Sequence, residues 1–154
     1  MTQRHIRTAT DIAAHIITAA ALIYTAAAYP SLSDTVPVHY GITGEMDATG
    51  DKSTIWTPLI VLVVMHIGFG LLNRFPQIFN YPVTICDQHR KEVYSTAQLM
   101  VSCLRLLTDT LFASLLFCTV CGSDNVLWML LLAAIGYPVI LVYFNIRIKR
   151  INDR

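Results

Sequence analysis

The segment LMVSCLRLLTDTLFASLLFCTVC, residues 99–121, decides the fold. Its 23 residues exceed the roughly 20 apolar residues that a helix needs to cross a bilayer core of about 30 Å. Only Arg105 and Asp109 place formal charge inside it. Because backbone polar groups in lipid must be satisfied within the segment, we expect a membrane-spanning α-helix here.

Three further apolar stretches flank this segment in the sequence, at residues 12–29, 55–72 and 126–146. The sequence therefore predicts an all-α integral membrane protein with four transmembrane helices, organised as a single membrane domain over residues 1–154. A structured extracytoplasmic loop is expected between the first two helices, at residues 30–54, and a cytoplasmic loop at residues 73–98.

The composition agrees with a membrane protein. Charged residues make up 14% of the 154 residues and hydrophobic residues 55%, whereas soluble domains carry about 25% charged residues. This excludes a disordered chain and argues against a soluble domain. The net charge of +1 gives no basic field, so we expect the lipid bilayer as a partner and no nucleic acid.

The basic residues predict the orientation. Nine of the 11 Lys and Arg residues lie in the N-terminal tail, the loop at residues 73–98 and the C-terminal tail. Lys52 lies in the loop at residues 30–54, and Arg105 lies within a span. By the positive-inside rule, both termini face the cytoplasm of a multi-pass protein in the plasma membrane.

The loop at residues 30–54 is patterned. Pro30 and Pro37 stiffen it, residues 36–40 suit a short strand or a polyproline stretch, and its three glycines suit tight turns. The run LSDTVPVHYG at residues 32–41, with GEMD at 44–47 and GDKS at 50–53, resembles the signature of the bacterial membrane family called domain of unknown function 1648. The segment FPQIFNYPV at residues 75–83 is similar to one that follows the second span in this family.

This resemblance covers roughly residues 11–94 and implies a multi-pass protein of the bacterial cytoplasmic membrane. The family is largely uncharacterised. Its domain is also related to the N-terminal part of the SdpI immunity protein, and this implies an immunity or signalling role by analogy.

Five loop residues are candidates for binding a ligand or partner: His39, Tyr40, Glu45, Asp47 and Lys52. Three of them, with Asp51, offer an imidazole and carboxylates for a cation, but their spacing matches no standard metal loop. The alternative is structural. In that case His39 and Asp47 bond to the loop itself, and Lys52 pairs with a carboxylate.

Four polar residues are predicted inside the membrane: His66, Arg105, Asp109 and Tyr137. Arg105 lies about 9 Å into its span, from where its side chain can reach back to the interface. At 1.5 Å per residue, Asp109 lies about 15 Å into its span, and His66 and Tyr137 lie at about the same depth. Buried charge is costly in lipid, so these residues predict a proton- or ligand-coupled site. The alternative is a direct Arg105–Asp109 pair that orients the helices, with a neutral His66.

Asp11 and His15 lie four residues apart at the cytoplasmic entrance to the first predicted span. With Thr10, they resemble a helix start, where a carboxylate caps the first turn. We therefore expect them to cap the helix at the membrane interface.

No P-loop, His-Glu-x-x-His or Gly-x-Ser-x-Gly motif is present in the sequence, so we expect no enzyme, catalytic residue, cofactor or metal. The first functional hypothesis is a non-enzymatic sensing or immunity protein that binds an extracellular peptide or another membrane protein through residues 36–52. The alternative is a small proton-coupled transport or channel component that uses His66, Arg105 and Asp109. Because four helices enclose a narrow interior, a conduction path predicts an oligomer.

Overall fold

The computed structural model of the chain describes residues 3–123 and 125–154. Four long α-helices dominate it: α1 Gln3–Ala28, α2 Trp56–Leu72, α3 Arg90–Cys121 and α4 Leu127–Asn152. Each belongs to a helical segment long and apolar enough to cross a membrane, so the prediction of four spans is confirmed at that level. Short 3-10 helices lie at Tyr29–Ser31, Lys52–Ile55, Pro76–Ile78 and Asp87–His89.

Helix α3 is the centre of the bundle. It packs against α1, α2 and α4, whereas α1 and α2 contact each other far less. On α1, the face that is buried carries only small residues, namely Ala14, Thr18, Ala21 and Thr25. Small side chains allow helices to approach closely, which is how membrane bundles gain packing contacts.

Three helices extend beyond the predicted spans. Helix α1 begins at Gln3 instead of residue 12, α3 begins at Arg90 instead of residue 99, and α4 continues to Asn152 beyond residue 146. The extensions are polar, and contacts between elements hold them together. The Gln3 amide donates to the Thr96 hydroxyl at 3.3 Å, and the Asn152 amide donates to the Thr84 carbonyl at 3.1 Å.

Between α1 and α2, the chain forms an antiparallel hairpin of β1 Thr35–Tyr40 and β2 Met46–Asp51. The expected strand at residues 36–40 is present, and its partner strand was not predicted. Gly50 faces Val38 so closely that a Cβ at Gly50 would lie 2.8 Å from a Val38 methyl group.

The hairpin docks on the α3–α4 connection. The Val126 N–H donates to the Gly44 carbonyl at 2.8 Å, and Glu45 bridges to Asn125. Gly44 has φ +80°, and a Cβ there would lie 2.3 Å from the Leu127 nitrogen. Glycine is therefore required at the point where the hairpin meets the bundle. The hairpin and the α3–α4 connection share one end of the bundle, and both termini share the other end with the loop at residues 73–89.

Candidate intramembrane site

Three helices bring six polar side chains together inside the bundle. Helix α1 contributes Asp11, His15 and Thr18, which share one face because they are spaced by four and three residues. Helix α2 contributes His66, and α3 contributes Arg105 and Asp109. We call this set the His66 cluster.

His66 is the hub of the His66 cluster. Its Nδ1 lies 2.7 Å from Asp109 Oδ2 and 3.0 Å from the Thr18 hydroxyl. Its Nε2 lies 3.0 Å from His15 Nδ1 and within hydrogen-bond distance of the Arg105 guanidinium. His66 is 9% exposed and Asp109 is fully buried, so water does not solvate the pair.

This geometry suits a neutral His66. Its Nδ1–H donates to Asp109, and its Nε2 accepts a hydrogen bond from Arg105. The neutral imidazole therefore has a partner on each nitrogen.

The charges of the His66 cluster do not cancel when both imidazoles are neutral. Arg105 lies 4.0 Å from Asp11 Oδ1 and faces Asp109 through His66. Two carboxylates and one guanidinium leave one negative charge in excess. Oδ1 of Asp109 and Oδ1 of Asp11 are both buried without a hydrogen-bond partner. One added proton brings the cluster to neutrality, and on a carboxylate it also turns one oxygen into a donor.

A cavity of about 270 Å³ opens beside the His66 cluster. It is lined by His15, His66, Gly70, Arg74 and Arg105, among others. A Cβ at Gly70 would lie 3.5 Å from an Arg105 nitrogen, so the guanidinium packs against the bare α2 backbone. Because Arg74 follows the end of α2, the cavity joins the cluster to the end of the bundle that carries both termini.

The other side of the His66 cluster is closed. Toward the hairpin lies a core of buried apolar residues: Ala21, Ile55, Leu59, Leu62 and Leu116. All are at most 6% exposed. The cluster is thus open toward one end of the bundle only.

The structure joins three of the four predicted intramembrane residues. His66, Arg105 and Asp109 meet, whereas the Tyr137 hydroxyl lies 2.8 Å from the Thr108 hydroxyl on another side of α3. The alternative of a direct Arg105–Asp109 pair is wrong, because His66 stands between them. Within residues 3–123 and 125–154, no nitrogen of Arg105 lies within ion-pair distance of Asp109.

The prediction that Asp11 and His15 cap a helix is also wrong. Helix α1 already begins at Gln3, and the Thr10 hydroxyl donates back to the Ile6 carbonyl inside it. Asp11 and His15 instead face Arg105 and His66. The signal for their role was the spacing of Asp11, His15 and Thr18, which places three polar groups on one face of an apolar helix.

The predicted loop residues form several separate contacts. His39 Nδ1 lies 2.6 Å from Asp47 Oδ1, and Lys52 Nζ lies 3.1 Å from Asp34 Oδ1. The Tyr40 hydroxyl donates to the Ser123 carbonyl at 3.2 Å. Together with the Glu45 bridge to Asn125, these contacts hold the hairpin to itself and to the α3–α4 connection. The five residues do not converge on one centre.

Under the hairpin lies an apolar groove of about 470 Å³ between β1, α2, α3 and α4. His39 and Tyr40 line it from above, and Leu115 and Met129 line it from within the bundle. In the part of the chain that the structure describes, no group of three His, Cys, Asp or Glu side chains is placed to hold a metal ion.

The fold and the His66 cluster define a class: a helical multi-pass membrane protein with a buried ionisable site. Residues 16–65 match the model of a family described as domain of unknown function, DUF1648. The resemblance that the loop motifs predicted is therefore confirmed over these residues. They contain the hairpin, and they exclude both His15 and His66.

One curated relative is an uncharacterised protein of Archaeoglobus fulgidus. It is 34% identical over 68 residues, which cover 39% of this chain and 37% of the relative. The similarity thus spans little more than a third of the relative's length. No solved structure matches the chain.

Proposed function

We propose that this chain is a non-enzymatic multi-pass protein of the plasma membrane in which the His66 cluster binds and releases one proton. Both termini lie on the cytoplasmic side in this proposal, as the basic residues favour. The cavity beside Arg74 then opens to the cytoplasm, and the hairpin lies outside. The function in this proposal is proton-coupled transport or a conformational change driven by proton binding.

One observation carries the proposal, namely the uncompensated negative charge of the His66 cluster. A buried charge without a partner costs several kcal/mol, on the order of 3 kcal/mol for one carboxylate at the bilayer centre. Two buried carboxylate oxygens have no hydrogen-bond donor, while two imidazoles stand beside them. A proton on either carboxylate removes the excess charge and turns one of its oxygens into a donor.

The one-sided opening supports coupling to a conformational change. The cavity reaches His15 and His66 from one end of the bundle, and the apolar core around Leu62 closes the other. A proton therefore enters and leaves by the same side in this conformation. Release to the opposite side requires the core at Leu59 and Leu116 to open, which protonation of the cluster favours by removing a charge.

Proton flux into vesicles tests this proposal. The full chain is reconstituted in liposomes with an internal pH dye, and an imposed pH gradient drives the flux. Asp109→Asn is expected to reduce the flux to that of empty vesicles, because the amide accepts no proton. Asp87→Asn, which removes an exposed carboxylate paired with Arg90, is the matched control and keeps the wild-type flux.

A second measurement follows proton binding directly, because a sensor would bind the proton without conducting protons across the membrane. Potentiometric titration of the purified protein is expected to show one proton fewer for Asp109→Asn than for Asp87→Asn in the neutral range. If the two variants bind the same number of protons and show the same flux, the proposal fails.

A second candidate function is a sensing or immunity role in which the hairpin binds an extracellular peptide or another membrane protein. The groove of about 470 Å³ under His39 and Tyr40 favours it, because it offers an apolar pocket with polar groups at its rim. The resemblance of the loop motifs to the N-terminal part of SdpI supports the same role by analogy. His39→Ala and Asp47→Ala are expected to abolish protection of cells or binding of peptide, and Asp34→Ala serves as control. Intact protection in both variants, combined with its loss in Asp109→Asn, would exclude this candidate.

A further inference from the structure

The end of α4 carries two arginines on one face, and a third follows the helix. Arg147 and Arg150 are three residues apart on α4, which places their side chains above one another, and Arg154 lies two residues beyond Asn152. They line a cavity of about 420 Å³ together with Glu92 and Tyr143. This cavity lies between the beginning of α3 and the end of α4, far from the His66 cluster along the helices.

The depth of this cavity follows from the length of α4. Leu127 to Ile146 is an uninterrupted run without Asp, Glu, Lys or Arg, and its 20 residues rise about 30 Å, the thickness of the hydrocarbon core. Arg147 therefore stands where the hydrocarbon ends. Arg150 lies about 5 Å further out, and Arg154 follows the helix end at Asn152, so the three guanidinium groups lie at the level of the headgroup layer.

The positive charge in this cavity is only partly compensated. Arg154 lies 3.9 Å from Glu92, and Arg147 donates to the Tyr143 hydroxyl at 3.3 Å. Arg150 forms no ion pair or hydrogen bond with another described side chain. Three guanidinium groups against one carboxylate leave an excess of two positive charges at the level of lipid headgroups.

The floor of the cavity and the helix face below it are apolar. Ile146 and Ile151 line the cavity beside the arginines. Val139 and Val142 lie on α4 between this cavity and the membrane centre, and they are 58% and 57% exposed. A molecule with a charged group in the cavity can therefore lay an acyl chain along the outside of the same helix.

We propose that Arg147, Arg150 and Arg154 form a binding site for one anionic phospholipid, with the lipid phosphate between the guanidinium groups and an acyl chain along α4. Guanidinium groups bind phosphate oxygens in bidentate fashion, and basic pockets at helix ends are suited to anionic headgroups. Lipid binding at this site does not depend on proton binding at the His66 cluster, so the failure of one proposal leaves the other unaffected.

Lipid titration of the detergent-solubilised full chain, followed by native mass spectrometry, tests the site. Phosphatidylglycerol is the anionic probe and phosphatidylcholine the neutral one. We expect one phosphatidylglycerol to bind at lower concentration than any phosphatidylcholine. Arg150→Gln is expected to weaken this first binding event by about tenfold, since a charge-assisted hydrogen-bonded contact is lost.

Lys149→Gln is the matched control. Lys149 lies next to Arg150 in the sequence and is exposed, but it does not line the cavity. Both variants remove one positive charge from the same helical turn. Equal weakening by the two variants would show a general attraction of basic residues for anionic lipid and would overturn the site.

Two further arms complete the experiment. Inorganic phosphate in excess is expected to leave phosphatidylglycerol bound; displacement by phosphate would assign the cavity to a free anion and overturn the lipid proposal. Arg150→Lys keeps the charge but loses the bidentate guanidinium, and it is expected to bind phosphatidylglycerol more weakly than the wild type and more tightly than Arg150→Gln. If Arg150→Gln lowers the melting temperature while Arg150→Lys does not, Arg150→Lys decides: wild-type affinity in this variant would contradict bidentate binding of the phosphate and overturn the site.

Discussion

Two His–Asp pairs in this chain have nearly the same length and opposite surroundings. His39 and Asp47 in the hairpin are 2.6 Å apart, with 68% and 51% of their side chains exposed. His66 and Asp109 in the bundle are 2.7 Å apart, with 11% and 0% exposed. The contacts look alike, so any difference in what they do comes from the medium around them.

Water solvates the hairpin pair whether or not the contact forms. An exposed ion pair therefore contributes about 0–1 kcal/mol. In the bundle, Asp109 has no access to water, and its second oxygen already has no donor. There the imidazole is the principal partner of a buried charge. The comparison therefore shows that a His–Asp contact contributes little to the free energy of unfolding when it is exposed and much more when it is buried.

The largest effect is expected when each imidazole is removed. His66→Ala leaves Asp109 and Arg105 buried without their shared partner, so we expect the free energy of unfolding to fall by about 3–5 kcal/mol. His39→Ala is the matched change in the hairpin and is expected to cost about 1 kcal/mol or less. Denaturant unfolding in detergent measures both. Equal losses in the two variants would contradict the role assigned to burial.

If the exposed pair contributes little, backbone packing must hold the hairpin. Gly44→Ala places a Cβ 2.3 Å from the Leu127 nitrogen at a φ of +80°, so we expect a loss of about 1–3 kcal/mol. Gly41→Ala is the control, since its Cβ would meet nothing closer than 3.5 Å. Thermal unfolding and amide exchange of the Val126 N–H, which donates to Gly44, report the change. A smaller loss than in His39→Ala would reverse this ranking.

Most of the fold is readable in the sequence, because long apolar runs in lipid can form only helices. The helix ends are not readable in the same way. Residues 3–11, 90–98 and 147–152 are polar, and hydropathy places them outside the spans. They are helical because they pack on one another, as in the contact between Gln3 and Thr96. That packing depends on which helices are neighbours.

Half of the His66 cluster was predictable from depth alone. His66 and Asp109 lie at similar heights, Arg105 lies about one helical turn from Asp109 on the same helix, and depth follows from residue counting. Tyr137 lies at the same height but faces Thr108, since depth does not give the rotation of a helix about its axis. Asp11 and His15 were missed because the helix was expected to start beside them, whereas α1 already begins at Gln3. The DUF1648 match offers no help, because residues 16–65 begin after His15 and end before His66.

A finer difference inside the bundle is expected for two threonines on the buried face of α1. The Thr18 hydroxyl lies 3.0 Å from His66 Nδ1, whereas the Thr25 hydroxyl is buried without a partner. Thr18→Val is expected to cost about 1 kcal/mol, as one net hydrogen bond does. Thr25→Val removes an unsatisfied group and is expected to be neutral or stabilising. Unfolding of the two variants in detergent compares them directly, and a greater loss for Thr25→Val would contradict this arrangement of the hydroxyl groups.

The smallest effect is expected at an exposed carboxylate of the hairpin. Hydrogen bonds from the Ser53 side chain and backbone N–H lower the pKa of Asp51 below its ordinary value of 3.8. The charged form is thus favoured in the folded state. Its stabilising contribution is present above the ordinary pKa and is lost as the pH falls through the lower, folded value.

Amide exchange of the Ser53 N–H measures this effect, since that group donates to Asp51 Oδ1 at 2.8 Å. We expect protection, corrected for the intrinsic exchange rate, to fall below about pH 4 in the wild type and to stay flat in Asp51→Asn. Asp47→Asn keeps the wild-type profile, because Asp47 contacts His39 instead. An identical acid profile in wild type and Asp51→Asn would mean that the hairpin loosens for another reason. A positive result would show that the exposed Asp51 carboxylate stabilises only the backbone N–H that donates to it. Asp109, by contrast, contacts His66, whose partners lie on α1 and α3.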